Sequence, residues 1–328
     1  MSRRFPAAML AALLMAASAV GTALTASAQG SFPNRPIRII VGLAAGGGTD
    51  VIARMIAPKL SEALGQPVIV ENRVGGNNVI AAEAVIRAPA DGYMLFMAPS
   101  GTMTINPVMY QKLGFSPRDF TPISLVSAFP LLLVVDAALP IRSLKDLAQY
   151  LNANPGKANY SATGPAFGLP ILLLKQRLEI GPMEFIQYKG SNESVAAVMA
   201  GDVVLTVVDT GPALGAIRGG RVRALAITSP ARQPAFPEIP TMTELGFPEL
   251  ELQYWMALFA KAGTPMEIVK KLEAEINRAV KLPDIREGMR NRLLEATGST
   301  SEELTGMVYS EMEKWESVRK RANIKPLD

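Results

Sequence analysis

Residues 37–65 read IRIIVGLAAGGGTDVIARMIAPKLSEALG. The stretch opens as an apolar, β-branched run and breaks at Gly46-Gly47-Gly48. It resumes with Ile52, Ile56, Leu60 and Leu64 recurring every fourth residue, the period of one helix face. That predicts a strand over 38–43, a glycine turn, and a helix over 49–64. The pattern then repeats, with a strand over 67–71, a helix over 78–87 and a strand over 93–98. A β-α-β-α-β order points to an α/β protein with a parallel sheet.

The turn over 42–50 is the first candidate site. A helix N-terminus leaves backbone N–H groups without partners and carries roughly half a positive charge. Glycines let a ligand approach the backbone, so a carboxylate or phosphate fits there. A phosphate loop would need a lysine after the glycines, and none follows. The dinucleotide fingerprint would need a glycine where Val51 stands. Leu43, Ala45, Gly47, Gly48, Thr49 and Asp50 are therefore candidate ligand-binding residues. Thr49 or Asp50 is also a candidate N-cap, with the Asp50 carboxylate expected to point at backbone.

Outward from this unit, Phe120 to Pro140 is a long apolar stretch interrupted by Pro130. It reads as a strand crossing between two lobes, with Pro130 at a bend or edge. A second α/β series follows. Ser143 to Asp146 is a capping box. Strands are expected over 158–161, 185–188, 203–208 and 223–228, and helices over 171–178, 191–201 and 211–218. A proline-rich connection covers 231–251, and a second crossing strand covers 252–260. Capping boxes at Thr264–Glu267, with Pro265 as first helical residue, and at Thr300–Glu303 open the closing helices. Two lobes joined by two crossings leave a cleft, a usual place for a small-molecule site.

Three further turns face that cleft. Ser100 and Thr102 follow the third strand, where the strand ends of a parallel sheet meet ligands. The loop over 160–170, YSATGPAFGLP, offers Ser161, Thr163 and Gly164, with Phe167 either covering apolar ligand surface or sitting in the core. Asp209 ends a strand and precedes a helix. It reads either as an N-cap or as an acceptor for a ligand ammonium, hydroxyl or bound water.

Composition narrows the chemistry. The chain has no cysteine and no histidine. Disulfides, thiolate metal sites, cysteine nucleophiles and Ser-His-Asp triads are excluded, along with the usual general base near neutral pH. The formal charge is +4, two units of which come from Arg3 and Arg4, so there is no nucleic-acid footprint. Those arginines precede an Ala-, Leu- and Met-rich stretch over 7–24 and the small-residue site Ala26-Ser27-Ala28. This is the pattern of a secretory leader over 1–28. A retained anchor is the competing reading, although the stretch is short and interrupted for a span.

Several segments together resemble a known family: RPIRIIVGLAAGGGTDVIAR, LGQPVIVENRVGGNNVIAAEAV, ADGYMLFMA, NPGKANYSATG, YKGSNESVAAVMAGDV, VRALAIT, EIPTMTELGF and KAGTP. They are similar, in order and spacing, to the substrate-binding receptors of tripartite tricarboxylate transporters, the Bug receptors. The resemblance implies an α/β, two-lobe periplasmic binding protein of type II, a Venus flytrap with two crossing strands. Lobe 1 would comprise 29–130 and 253–328, and lobe 2 would comprise 131–252. It further implies a periplasmic monomer without cofactor or metal. Such a receptor binds a small organic carboxylate and passes it to the membrane subunits of a transporter. The loops matching 42–50 and 161–168 would grip the carboxylate through backbone groups and ordered water, and Asp209 would face the cleft.

The chain departs from the family pattern in both loops. Ala44 and Ala45 stand where prolines are usual. Pro165 and Ala166 replace a glycine and a hydroxyl residue, and Gly168 and Leu169 stand near the usual place of a histidine. Pro165 has no N–H to donate, which predicts a more apolar ligand class or a weaker grip. Two alternatives remain open: a two-lobe enzyme using Tyr188, Lys189 or Asp209, and a ligand sensor for a signalling partner.

Overall fold

The computed structural model describes residues 32–188, 190–321 and 323–327. The expected leader over 1–28 lies outside them, as does Lys189.

In chain order the first lobe starts with β1 (Ile37–Val41), α1 (Gly48–Leu64), β2 (Val68–Asn72), α2 (Val79–Ile86) and β3 (Met94–Pro99). A π-type turn (Gly101–Ile105) and the short α3 (Asn106–Met109) lead to β4 (Phe120–Phe129). The second lobe follows with β5 (Leu131–Asp136), α4 (Leu144–Ala153), β6 (Asn159–Ala162) and α5 (Pro165–Arg177). It continues with β7 (Glu184–Gln187), α6 (Ser191–Ala200), β8 (Leu205–Asp209), α7 (Thr210–Arg218) and β9 (Val222–Ile227). The chain then returns through β10 (Tyr254–Lys261), α8 (Met266–Ala279), α9 (Pro283–Arg290), β11 (Glu295–Ala296) and α10 (Ser301–Arg321).

These strands form two mixed sheets, ordered β11-β4-β10-β3-β1-β2 and β7-β6-β8-β5-β9. β1 is parallel to both β2 and β3, so the turns after all three open on one sheet edge. β6 is parallel to β7 and β8, which gives the second sheet the same arrangement. The long apolar stretch over 120–140 is therefore two strands in two sheets, and Pro130 is the single residue between them. Proline lacks the N–H a ladder needs, so it sits where pairing changes sheets. At the return, the Leu252 amide donates to the Thr228 carbonyl (2.9 Å), and the Leu131 amide donates to the Thr228 hydroxyl (2.8 Å). Both crossings are thus tied at one hinge.

Helix α1 buries Ile52, Ala53, Ile56, Ala57, Leu60 and Leu64. Each large side chain taken out of water contributes roughly 1.5–3 kcal/mol. Pro58 lies inside this helix but on its exposed side, where a lost hydrogen bond is met by water. Two of the expected capping boxes form. Ser143 Oγ accepts from the Asp146 amide, and Thr300 and Glu303 accept from each other's amides (2.8 and 3.1 Å).

The third box does not form. Thr264 Oγ1 donates to the Lys261 carbonyl instead (2.7 Å), and Pro265 is the N-cap of α8 rather than its first residue. A second correction concerns the loop over 160–170. Helix α5 starts at Pro165, six residues before the helix expected over 171–178. Proline suits a first helical position, where no N–H is required. The Phe167 and Gly168 amides both donate to the Gly164 carbonyl, closing that first turn.

Candidate functional site

The turn between β1 and α1 is built by contacts that the sequence pattern only partly discloses. Asp50 is buried, and its carboxylate accepts from the Gly46 amide (2.9 Å), Asn72 Nδ2 (2.9 Å) and Arg54 Nε. It points at the turn's own backbone, as expected. It is not the N-cap, and neither is Thr49: Gly47 holds that position, and no side chain caps it. Burial opposes the charged form of Asp50. The hydrogen bonds from Arg54, Gly46 and Asn72 outweigh it and hold the acid below its ordinary value.

The same turn needs glycine in two ways. Gly46 has φ +81°, a left-handed conformation that costs other residues about 1–2 kcal/mol. At Gly42 a Cβ would lie 2.3 Å from Asn78 Oδ1. Leu43 is partly buried and its carbonyl accepts from Asn72 Nδ2. Ala45, Gly47 and Gly48 are exposed. The amides of Gly48, Thr49 and Asp50 fall in the first helical turn, where no helical acceptor exists. Beside them Thr49 Oγ1 is buried without a partner among the described residues. The result is an open turn with unused donors at the positive end of a 17-residue helix.

Ser100 and Thr102 sit beside this turn, after β3, and both are buried. Ser100 Oγ accepts from the Trp255 amide at 3.4 Å, so part of its capacity is already used.

In the second lobe, Thr163 and Gly164 lie between β6 and α5. A Cβ on Gly164 would stand 3.8 Å from Asn77 Oδ1 of the first lobe, so this turn reaches across the cleft. Ser161 differs from the other candidates. It lies inside β6, paired with Thr206 and Ile186, and is fully buried with a hydroxyl that has no partner among the described residues. The strand ends at Ala162, one residue closer to α5 than the strand expected over 158–161.

Phe167 faces Tyr254 across the lobes, with ring centroids 4.9 Å apart, and Tyr254 faces Phe129 at 5.4 Å. These three rings make an apolar floor at the hinge. Sequence reasoning missed Phe129 and Tyr254. Both are ordinary strand residues in apolar runs, and only the sheet order brings them together.

Asp209 ends β8 beside Leu131. It occupies the N-cap position of α7, but its side chain makes no capping bond. It hydrogen-bonds Ser191 at the start of α6 instead. Burial raises its pKa, and the Ser191 contact only partly offsets this. Tyr254 is likewise pushed up, by burial and then by the nearby Asp209 charge. Tyr188 packs on the second lobe's apolar cluster. Thr210 Oγ1 donates to the Leu293 carbonyl (3.3 Å), adding a polar contact between the lobes.

Chemically, the arrangement offers amide donors on one side, aromatic surface on the floor and a buried carboxylate acceptor on the other side. Among the described residues, no group of three or more Asp or Glu side chains could hold a metal ion. No helix there is long and apolar enough to cross a membrane.

A family model described as tripartite tricarboxylate transporter family receptor matches residues 52–324. Protein BugT of Bordetella pertussis (strain Tohama I) is 33% identical over 326 residues, covering 97% of this chain and 98% of BugT. Among solved structures, the R. palustris protein Rpa4515 with adipate matches with a TM-score of 0.82 and 32% identity. That match covers 90% of this chain and 100% of the other. MatC from Rhodopseudomonas palustris with bound malate matches with a TM-score of 0.80 and 31% identity, covering 88% and 99%.

Proposed function

The chain belongs to the tripartite tricarboxylate transporter receptor family, and we propose that it captures a small organic carboxylate in the cleft between its lobes. The observation that carries this reading is the open turn at the start of α1. Its unused amides and buried, unpartnered Thr49 hydroxyl are suited to a carboxylate. Gly47, Gly48, Thr49 and the backbone at Leu43 and Ala45 form the grip, and Asp50 keeps the turn in shape. Thr163 and Gly164 close over the acid from the second lobe, with Ser100 and Thr102 behind it. Ser161 supports its strand from within the core. The receptor works as an exported, periplasmic monomer and delivers its ligand, unchanged, to the membrane subunits of a transporter.

Hydrogen bonds to a charged group contribute roughly 1.5–3 kcal/mol each, and micromolar affinity needs about 8 kcal/mol net. Several amide bonds plus burial against Phe167, Tyr254 and Phe129 reach that range. The aromatic floor, the missing donor at Pro165 and the carboxylate of Asp209 all disfavour a second anionic group deep in the cleft. The ligand is therefore an acid with an apolar body, in contrast to the malate held by the similar MatC.

Calorimetric titration with a panel of mono- and dicarboxylates tests this. Apolar-bodied monocarboxylates should bind at least about tenfold tighter than malate, a difference of about 1.4 kcal/mol. Tight malate binding refutes the ligand class, and conversion of any acid during incubation refutes the receptor reading.

A further inference from the structure

A cavity of about 300 Å³ lies at the hinge, bounded by the second crossing and helix α10. Ser100 and Tyr254, which also border the cleft, line it together with Thr104 of the first lobe and Pro230 of the second. Its volume is at the lower end of the range for small-molecule sites.

The wall from α10 is bipolar. Glu311 and Lys314 sit one turn apart on the helix, and both line the cavity. Glu311 accepts from the Trp255 indole (2.8 Å). Lys314 donates to the Glu251 carbonyl (2.8 Å) and stands 5.3 Å over the Trp315 ring. Neither forms an ion pair within 4.0 Å among the described residues. Burial pushes the Glu311 carboxyl up, against hydrogen bonds from Trp255 and Thr104 and the nearby Lys314 charge, and pushes the Lys314 ammonium down, against the charges of Glu311 and Glu251. The remaining wall is mixed, with Ile105, Leu252 and Trp315 apolar and Ser100, Thr104, Glu251 and Gln253 polar.

We propose that this cavity is a second ligand site, distinct from the amide grip at the start of α1 although Ser100 and Tyr254 border both, and that it takes a small α-amino acid as a zwitterion. The ligand ammonium meets Glu311, its carboxylate meets Lys314, and a short apolar side chain lies against Leu252 and Trp315. A single charge would complete only one of the two wall groups, whereas a zwitterion completes both without adding net charge to a poorly solvated place. Because the walls come from both lobes and the crossing between them, occupancy is linked to the hinge angle.

The chain has two tryptophans: Trp315 lines the cavity and the buried Trp255 donates to Glu311, so their fluorescence reports on the site. The probe is L-valine. A saturable emission change with at least millimolar affinity, about 4 kcal/mol, is expected. Glu311→Gln keeps an acceptor for the Trp255 indole and should weaken valine at least about tenfold, the scale of one charged hydrogen bond. Gly48→Glu, which blocks the turn at α1, should leave the valine titration unchanged and abolish acid binding in the cleft. N-acetylvaline lacks the ammonium and valinamide lacks the carboxylate. Each should bind the native chain at least about tenfold more weakly than valine, independently of any variant. The proposal is overturned by absence of saturation, by either analogue matching valine, or by a valine signal that Gly48→Glu removes and Glu311→Gln leaves intact.

Discussion

Gly42 and Asp50 hold the first turn from opposite sides. Gly42→Ala would drive a methyl to 2.3 Å from Asn78 Oδ1 and force the turn before α2 to move. Overpacking of this kind costs about 1–3 kcal/mol, to be read as a lower denaturation midpoint in urea. Asp50 has a depressed pKa, so its contribution is present above the unfolded value and lost as pH falls through the folded one. Asp50→Asn should therefore destabilise clearly at pH 7, and the difference should shrink in acid, well below the ordinary value of 3.8. Asp209 has the opposite sign. Its folded pKa is raised, so the folded state is penalised once pH rises above the ordinary carboxyl value. Asp209→Asn should raise the melting temperature at pH 8 and have little effect near pH 4. Thermal melts from pH 8 down to well below 3.8 check both residues. The glycine turn was legible because glycine's lack of a Cβ is itself a sequence signal. The partners Asn72, Asn77 and Ser191 were not, because they come from other elements: the end of β2, the turn before α2 and the start of α6.

Helix α5 shows where an element misleads a reader of sequence. Gly164, Pro165, Gly168 and Pro170 resemble loop punctuation, yet the helix runs from Pro165 through Pro170. Proline is well placed in a first turn, where the N–H groups have no helical acceptor. The consequence is functional, since the N-terminus of α5 presents one donor fewer. Pro165→Ser restores that amide and adds a hydroxyl. It should tighten carboxylate binding by about tenfold, the lower end for one charged hydrogen bond, measured by calorimetry. Most of the alternation of strands and helices was legible, because the longer elements carry their own period. The Thr264 box was misread because a local motif does not reveal a competing acceptor, here the Lys261 carbonyl. The short β11 pairs through only Glu295 and Ala296 and leaves almost no pattern to find.

Across the whole molecule, the two crossings decide what the turns can do together. Pro130 and the Leu252–Thr228 contact place both sheet edges on one cleft, so Phe129, Phe167 and Tyr254 meet although they are far apart in sequence. That convergence could be anticipated as two lobes and two crossings, whereas the aromatic floor depended on strand order. A ligand that binds only the folded chain stabilises it by mass action, about 2.7 kcal/mol at a hundred times its dissociation constant. The acid selected by titration should thus raise the melting temperature, and Gly48→Glu should cancel the rise. A crystal structure of the complex with that acid tests the amide grip most directly. Its carboxylate should lie within hydrogen-bond distance of the Gly48 and Thr49 amides, with its carbon frame against Phe167 and Tyr254. Density for the acid only outside the cleft, or a carboxylate turned away from the start of α1, would contradict that grip.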